Sequence, residues 1–296
     1  MKNNYDLSVV IAGIRPHLWE DTCNSLFTAC GKYNFEIIFV GPFAPPMHFI
    51  DGTKIRFIQD FGQVSRAAQI GAWAASGELF FSTTDDVLFI RNSIENTIDF
   101  YKENCSKYDV IGMRYREVAA GRLFFHRPVI GPEGFPEYLA SLVDRVLVTN
   151  SPPFKNEPYT PDYWFYPTGE PVAIQVFMDL AAFKEVGGWD CRFEYLLEPA
   201  VDLCRRLKNL GGKIVQSPVE ISLAEFYPGH LLDHKPIHDS ANLEKQLREA
   251  LLAAEPDRTI IEFDNWRQSP ETWSRRFPTG KVNTYDEMMK VIGGKR

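Results

Sequence analysis

The stretch ELFFSTTDD (78–86) ends an apolar run on Thr83, Thr84 and two adjacent carboxylates, Asp85 and Asp86. A strand ending this way delivers both acids to one edge of a sheet. In open α/β sheets that carboxyl edge is where ligands gather. Two carboxylates there can hold Mg2+ or Mn2+, which in turn neutralises a diphosphate. The same acids could instead cap the helix expected over RNSIEN. His230, His234 and His238 recur every four residues, a metal-binding spacing on a helix. Pro228 and Pro236 oppose a continuous helix there, so the spacing alone does not make a zinc site.

The elements needed to position these groups are legible nearby. LSVVIAGI (7–14), FEIIFVG (35–41) and KIRFIQDF (54–61) are apolar runs of the kind buried on both faces of a sheet. Helical patterns follow at 17–30, 63–76 and about 91–104, and YDVIGMRY (108–115) reads as another strand. Strands separated by helical crossovers predict a doubly wound, mostly parallel sheet. Residues 116–170 break the rhythm with a long Pro-, Gly- and aromatic-rich insertion, of a length that in a compact domain is usually functional or mobile. Regular patterns return with PVAIQVFMDL, helices at 181–187 and 199–210, strands KIVQSP and VEISLAEF, and an amphipathic helix after Ser240. The expected organisation is a main unit over 1–240, in two halves, 1–115 and 116–240. A helical arm over 241–296 packs on it.

Acidic residues outnumber basic ones by 39 to 32, which disfavours nucleic acid as the main partner. Five scattered cysteines with no C-x-x-C pair fit reduced thiols and a cytoplasmic location. No apolar run is long enough to span a membrane, while peripheral membrane contact and oligomeric state stay open.

Four segments taken together carry a resemblance: SVVIAGIRP, FEIIFVG, GQVSRAAQIGAWAASGELFFSTTDDV, and GGWDCRF with EPAVDLCRRLKNLGGKI. In this order, over about residues 7–226, they resemble family 2 glycosyltransferases of the GT-A fold. The resemblance implies a Rossmann-like sheet, a nucleotide-sugar donor, with UDP the expected nucleotide, a glycan or glycoconjugate acceptor, a bound Mn2+ or Mg2+ and inversion at the anomeric carbon. It places Ala12, Gly13, Arg15, Gly41, Arg66, Thr84 and Asp85 at the nucleotide, and Asp85 and Asp86 at the metal with His238, or alternatively His234, beside them. By the same resemblance 1–240 is the catalytic domain, with 1–115 its nucleotide-sugar-binding half and 116–240 its acceptor half. The 116–170 insertion is expected to wall the acceptor side, and Trp189, Asp190 and Glu194 fall there.

An inverting transfer needs a base beside the acceptor hydroxyl, and Glu198 is the candidate. Its alternative role is a carboxylate favoured by a helix N-terminus. Two departures from the family pattern stand out. The second strand ends Gly41-Pro42-Phe43 where the family often has Asp, and Pro199-Ala200 replace an acidic doublet. They support a different reading, a non-catalytic carbohydrate- or nucleotide-binding protein on a degenerate transferase fold. Nucleotidyl transfer is disfavoured, because AGIRPHLWED lacks a Gly-rich basic loop.

Overall fold

The computed structural model describes residues 5–45, 50, 52, 54–119, 172–194, 197–226 and 241–267, with positions 287 and 290. His234, His238 and nearly all of the 116–170 insertion lie outside the described residues. The strands are β1 (Tyr5–Ala12), β2 (Phe35–Gly41), β3 (Ile55–Gln59), β4 (Gly77–Thr84), β5 (Val87–Phe89), β6 (Val110–Ala119), β7 (Val176–Asp179) and β8 (Ile214–Phe226). The α-helices are α1 (Trp19–Ala29), α2 (Val64–Ala74), α3 (Ser93–Asn104), α4 (Leu180–Glu185), α5 (Leu197–Asn209) and α6 (Ala241–Ala254).

The eight strands form one sheet in the order β3-β2-β1-β4-β7-β6-β8-β5. β3, β2, β1 and β4 pair in parallel, with Val9 opposite both Ile37 and Phe81. Every residue of β2 is buried, as a strand covered on both faces requires. Its acid, Glu36, is matched by the Ser8 hydroxyl (2.7 Å), the Ser76 amide (2.7 Å) and Arg56 (2.5 Å). The helix α2 approaches β1 closely at Gly71, where a Cβ would lie 2.2 Å from Val10 Cγ1.

The sheet departs from a purely parallel plan at β7 and β5. β7 runs antiparallel to both β4 and β6, and β5 antiparallel to β8. The two strands expected over KIVQSP and VEISLAEF are one, β8. Its pairing with β6 shifts register between Gly112 and Tyr115, so the chain bulges instead of breaking at Pro218. A bulge is where proline fits in a sheet, because no ladder hydrogen bond is asked of it. The Ser217 hydroxyl accepts the Arg114 amide (2.8 Å) across the irregularity.

Candidate donor-binding site

The carboxyl ends of β1, β2 and β4 and the start of α2 enclose a cleft of about 550 Å³, open to solvent. Ala12, Gly13, Arg15, Gly41, Thr84, Asp85 and Asp86 all line it. Two glycines make the meeting of β1 and β2 possible. A Cβ on Gly41 would lie 1.8 Å from the Gly13 carbonyl oxygen, and one on Gly13 would lie 2.8 Å from Asp85 Oδ2. Backbone therefore approaches backbone at the cleft floor with no side chain between.

The two acids differ in what they can do. Asp85 Oδ2 accepts the backbone amides of Ile14 (2.7 Å) and Arg15 (2.6 Å) and the Trp19 indole N–H (3.1 Å). Its Oδ1 takes the Arg15 guanidinium at 2.7 Å. Each carboxylate oxygen has about two lone-pair sites, so the three donors saturate Oδ2 while Oδ1 keeps one site. In this arrangement Asp85 ties β4 to the loop after β1 while lining the cleft. Asp86 is left with more capacity, with the Thr84 hydroxyl on Oδ1 (2.7 Å) and Arg15 at 3.4 Å from Oδ2. One carboxylate completed by substrate phosphates is an ordinary way to hold Mg2+. The residues present fit a divalent cation at Asp86 on that basis.

Arg66 is the other basic residue expected at the nucleotide. Its guanidinium pairs with Asp60 (Nε to Oδ1 3.1 Å) and donates to the Trp266 carbonyl (2.9 Å), and it does not line the cleft. It fastens the chain after α6 to the start of α2. Trp189, expected to face the acceptor, is fully buried, with its ring edge-on to Phe183 at 6.0 Å. Its backbone amide donates to Gln69 Oε1 (2.8 Å).

The acidic residues of the acceptor half are matched by basic ones of the arm. Arg258 reaches Asp190 (2.7 Å) and Asp202 (3.1 Å), and Arg248 Nε lies 2.5 Å from Glu198 Oε2. The Glu194 amide donates to Glu244 of α6 (2.9 Å). Glu198 is buried, and it does not line the cleft. Burial pushes its carboxyl above the ordinary value, and Arg248 pulls it back. In this arrangement the partner of the candidate base is the Arg248 guanidinium.

Asp190 titrates in the opposite sense. Burial raises its carboxyl, but hydrogen bonds from Arg192 and Arg258 outweigh that and hold it at about 2. A depressed carboxylate stabilises the fold above its unfolded value and loses that contribution as pH falls. The window therefore runs from about pH 4 down through 2, with roughly 2 kcal/mol at stake. Urea unfolding of the parent and Asp190→Asn at about pH 5 and pH 2.5 checks this. Equal acid losses in both proteins would overturn it.

The cleft also holds residues that sequence reasoning passed over: Pro42, Gly62, Gln63, Val64 and Ala67. Their available signal was position, since they follow the carboxyl ends of β2 and β3. All five cysteines are free thiols. Among the described residues no helix is long and apolar enough to cross a membrane.

This architecture, with its cleft at the carboxyl edge, is a GT-A-type glycosyltransferase fold. Among solved structures, the chain is similar to GalNAc-T7 with UDP, GalNAc and Mn2+. The TM-score is 0.50 at 13% identity, covering 90% of this chain and 57% of that one. It is also similar to S. aureus TarS 1-349 in complex with UDP, with TM-score 0.47 at 12% identity, covering 93% of this chain and 72% of that one. The UDP-GlcNAc complex of TarS 1-349 gives TM-score 0.46 at 13% identity, over 92% and 73%. No protein-family model and no curated protein matches the sequence.

Proposed function

We propose that the chain binds a nucleotide-sugar donor, with UDP as its nucleotide, and transfers the sugar to a glycan or glycoconjugate acceptor. The observation that carries this reading is the cleft, where Gly13 and Gly41 bare the floor and Asp86 stands at one end. In transfer, an acceptor hydroxyl attacks the anomeric carbon, the nucleoside diphosphate leaves, and the hydroxyl's proton passes to a base, for which Glu198 is the candidate. Asp86 would hold the Mn2+ or Mg2+, which offsets the charge of that leaving group. Asp85 and Arg15 keep the loop after β1 in place beneath it. GalNAc-T7, similar in fold, carries UDP and Mn2+.

A second reading, donor binding without transfer, is favoured by a separate observation. Asp190, Glu198 and Asp202 each face an arginine of the arm, so none stands at the cleft as a base.

Calorimetry with nucleoside diphosphates, with and without Mn2+, tests the shared part. Binding is expected to strengthen with Mn2+, and Asp86→Ala is expected to weaken the Mn2+-supported binding by about tenfold or more. Failure of every nucleotide to bind would sink the donor reading. Turnover of a nucleotide-sugar panel then separates the two: release of sugar supports transfer, and binding without release supports the second reading. Were Glu198→Gln to lose about 10²–10⁴-fold of transfer with donor binding intact, the base role would belong to Glu198.

A further inference from the structure

Gln63 sits at the N-cap position of α2, is 2% exposed, and does not use its side chain to cap the helix. Its Nε2 donates to the Cys191 carbonyl at 2.6 Å. A carbonyl can only accept, so this bond fixes which end of the amide is nitrogen and which is oxygen. The other end, Oε1, is buried and has no hydrogen-bond partner. Buried acceptors are nearly always satisfied, and an orphan in the wall of a ligand cleft calls for a donor from the ligand.

The strand order says which part of a ligand that is. β2 and β4 flank β1 on opposite sides. Asp86 therefore marks one end of the cleft, and Gly41, Pro42 and the start of α2 mark the other. A nucleotide lying across β1 with its diphosphate at Asp86 puts its base at the Gln63 end. There the side chains beside Gln63 are apolar, those of Val40, Pro42, Val64 and Ala67, which suit the face of a ring.

Resting on the donor reading above, we infer that Gln63 reads the base, its Oε1 accepting the ring N3–H of a uracil-type pyrimidine. Cytosine fails this test, because its N3 carries a lone pair and sets acceptor against acceptor. The second strand's lack of a terminal carboxylate is then no obstacle, since the acceptor comes from the start of α2. Gln63 is a specificity residue here, not a group of the transfer step.

The full chain is titrated with UDP, CDP and N3-methyl-UDP in Mn2+. UDP is expected to bind about tenfold or more tighter than the other two, the worth of one hydrogen bond plus the unsatisfied group left by its loss. In Gln63→Met the three ligands are expected to bind alike, with CDP within about threefold of its parent value. Thermal melting accompanies the variant. If Gln63→Met does not fold, the comparison of UDP with N3-methyl-UDP on the unaltered protein decides by itself. Nucleotide binding with no preference for UDP over N3-methyl-UDP overturns the inference and leaves the donor reading standing. An unchanged UDP-to-CDP ratio in folded Gln63→Met also overturns it. If no nucleotide binds, both fall together.

Discussion

Replacing Asp85 with alanine is expected to lower the free energy of unfolding by about 3–5 kcal/mol, the usual cost of breaking a buried ion pair from one side. The residue is 1% exposed and answers four donors, the Ile14 and Arg15 amides, the Trp19 indole and the Arg15 guanidinium. Alanine leaves three buried N–H groups without that partner. It also leaves Arg15 with Asp86 at 3.4 Å as its remaining carboxylate in the pair of acids. Domains of this size are stable by only about 5–15 kcal/mol, so a large share of the total is at risk. Asp85→Asn keeps a carbonyl acceptor and should lose less. Asp86→Ala should change stability little while weakening Mn2+-supported nucleotide binding, which separates the two neighbouring acids. Urea unfolding of the three variants reads this out. A loss below about 1 kcal/mol for Asp85→Ala, with a specific loss of metal-supported binding, would make Asp85 a ligand.

Trp189→Ala is expected to cost about 3–5 kcal/mol, as for other large aromatic side chains removed from a core. The indole is fully buried beside Phe183, and the following chain is held by the Asn265 side chain, which donates to the Trp189 carbonyl at 3.0 Å. Partial collapse cannot fill a hole of that size, because neighbouring side chains are fixed in close packing. Trp189→Phe should be much milder. It keeps an aromatic ring, and the indole Nε1 it removes has no hydrogen-bond partner. If Trp189→Ala melted like the parent and lost only acceptor use, the ring would belong to the acceptor site and not the core.

The arm illustrates why partners were hard to foresee. Arg258 reads in the sequence as a lone basic residue after Pro256, yet it crosses 68 positions to Asp190 and 56 to Asp202. Gln69 donates to the carbonyls of both Gly187 (2.9 Å) and Phe263 (2.7 Å), joining α2, the turn after α4 and the arm. None of these contacts has a periodic signature, because each depends on where folded segments meet.

What the sequence by itself determined is the framework. The apolar runs at β1, β2 and β4 and the Ala-rich face of α2 specify elements through local periodicity, and burial on both faces follows from unbroken apolar character. The acids at the end of β4 were legible for the same reason: a strand's carboxyl end can be found by counting along it. Only the tertiary structure decided how many donors each acid meets. Asp85 is occupied because backbone amides 70 and 71 residues earlier lie within 2.7 Å of it, whereas Asp86, one position on, faces the cleft with fewer donors. Likewise Gln63 presents an unmatched acceptor because Cys191, 128 residues away, holds the other end of its amide. A side chain's type sets what it can bind, but its donors and acceptors are consumed or spared by neighbours in space, and those neighbours are chosen by the packing of the whole sheet.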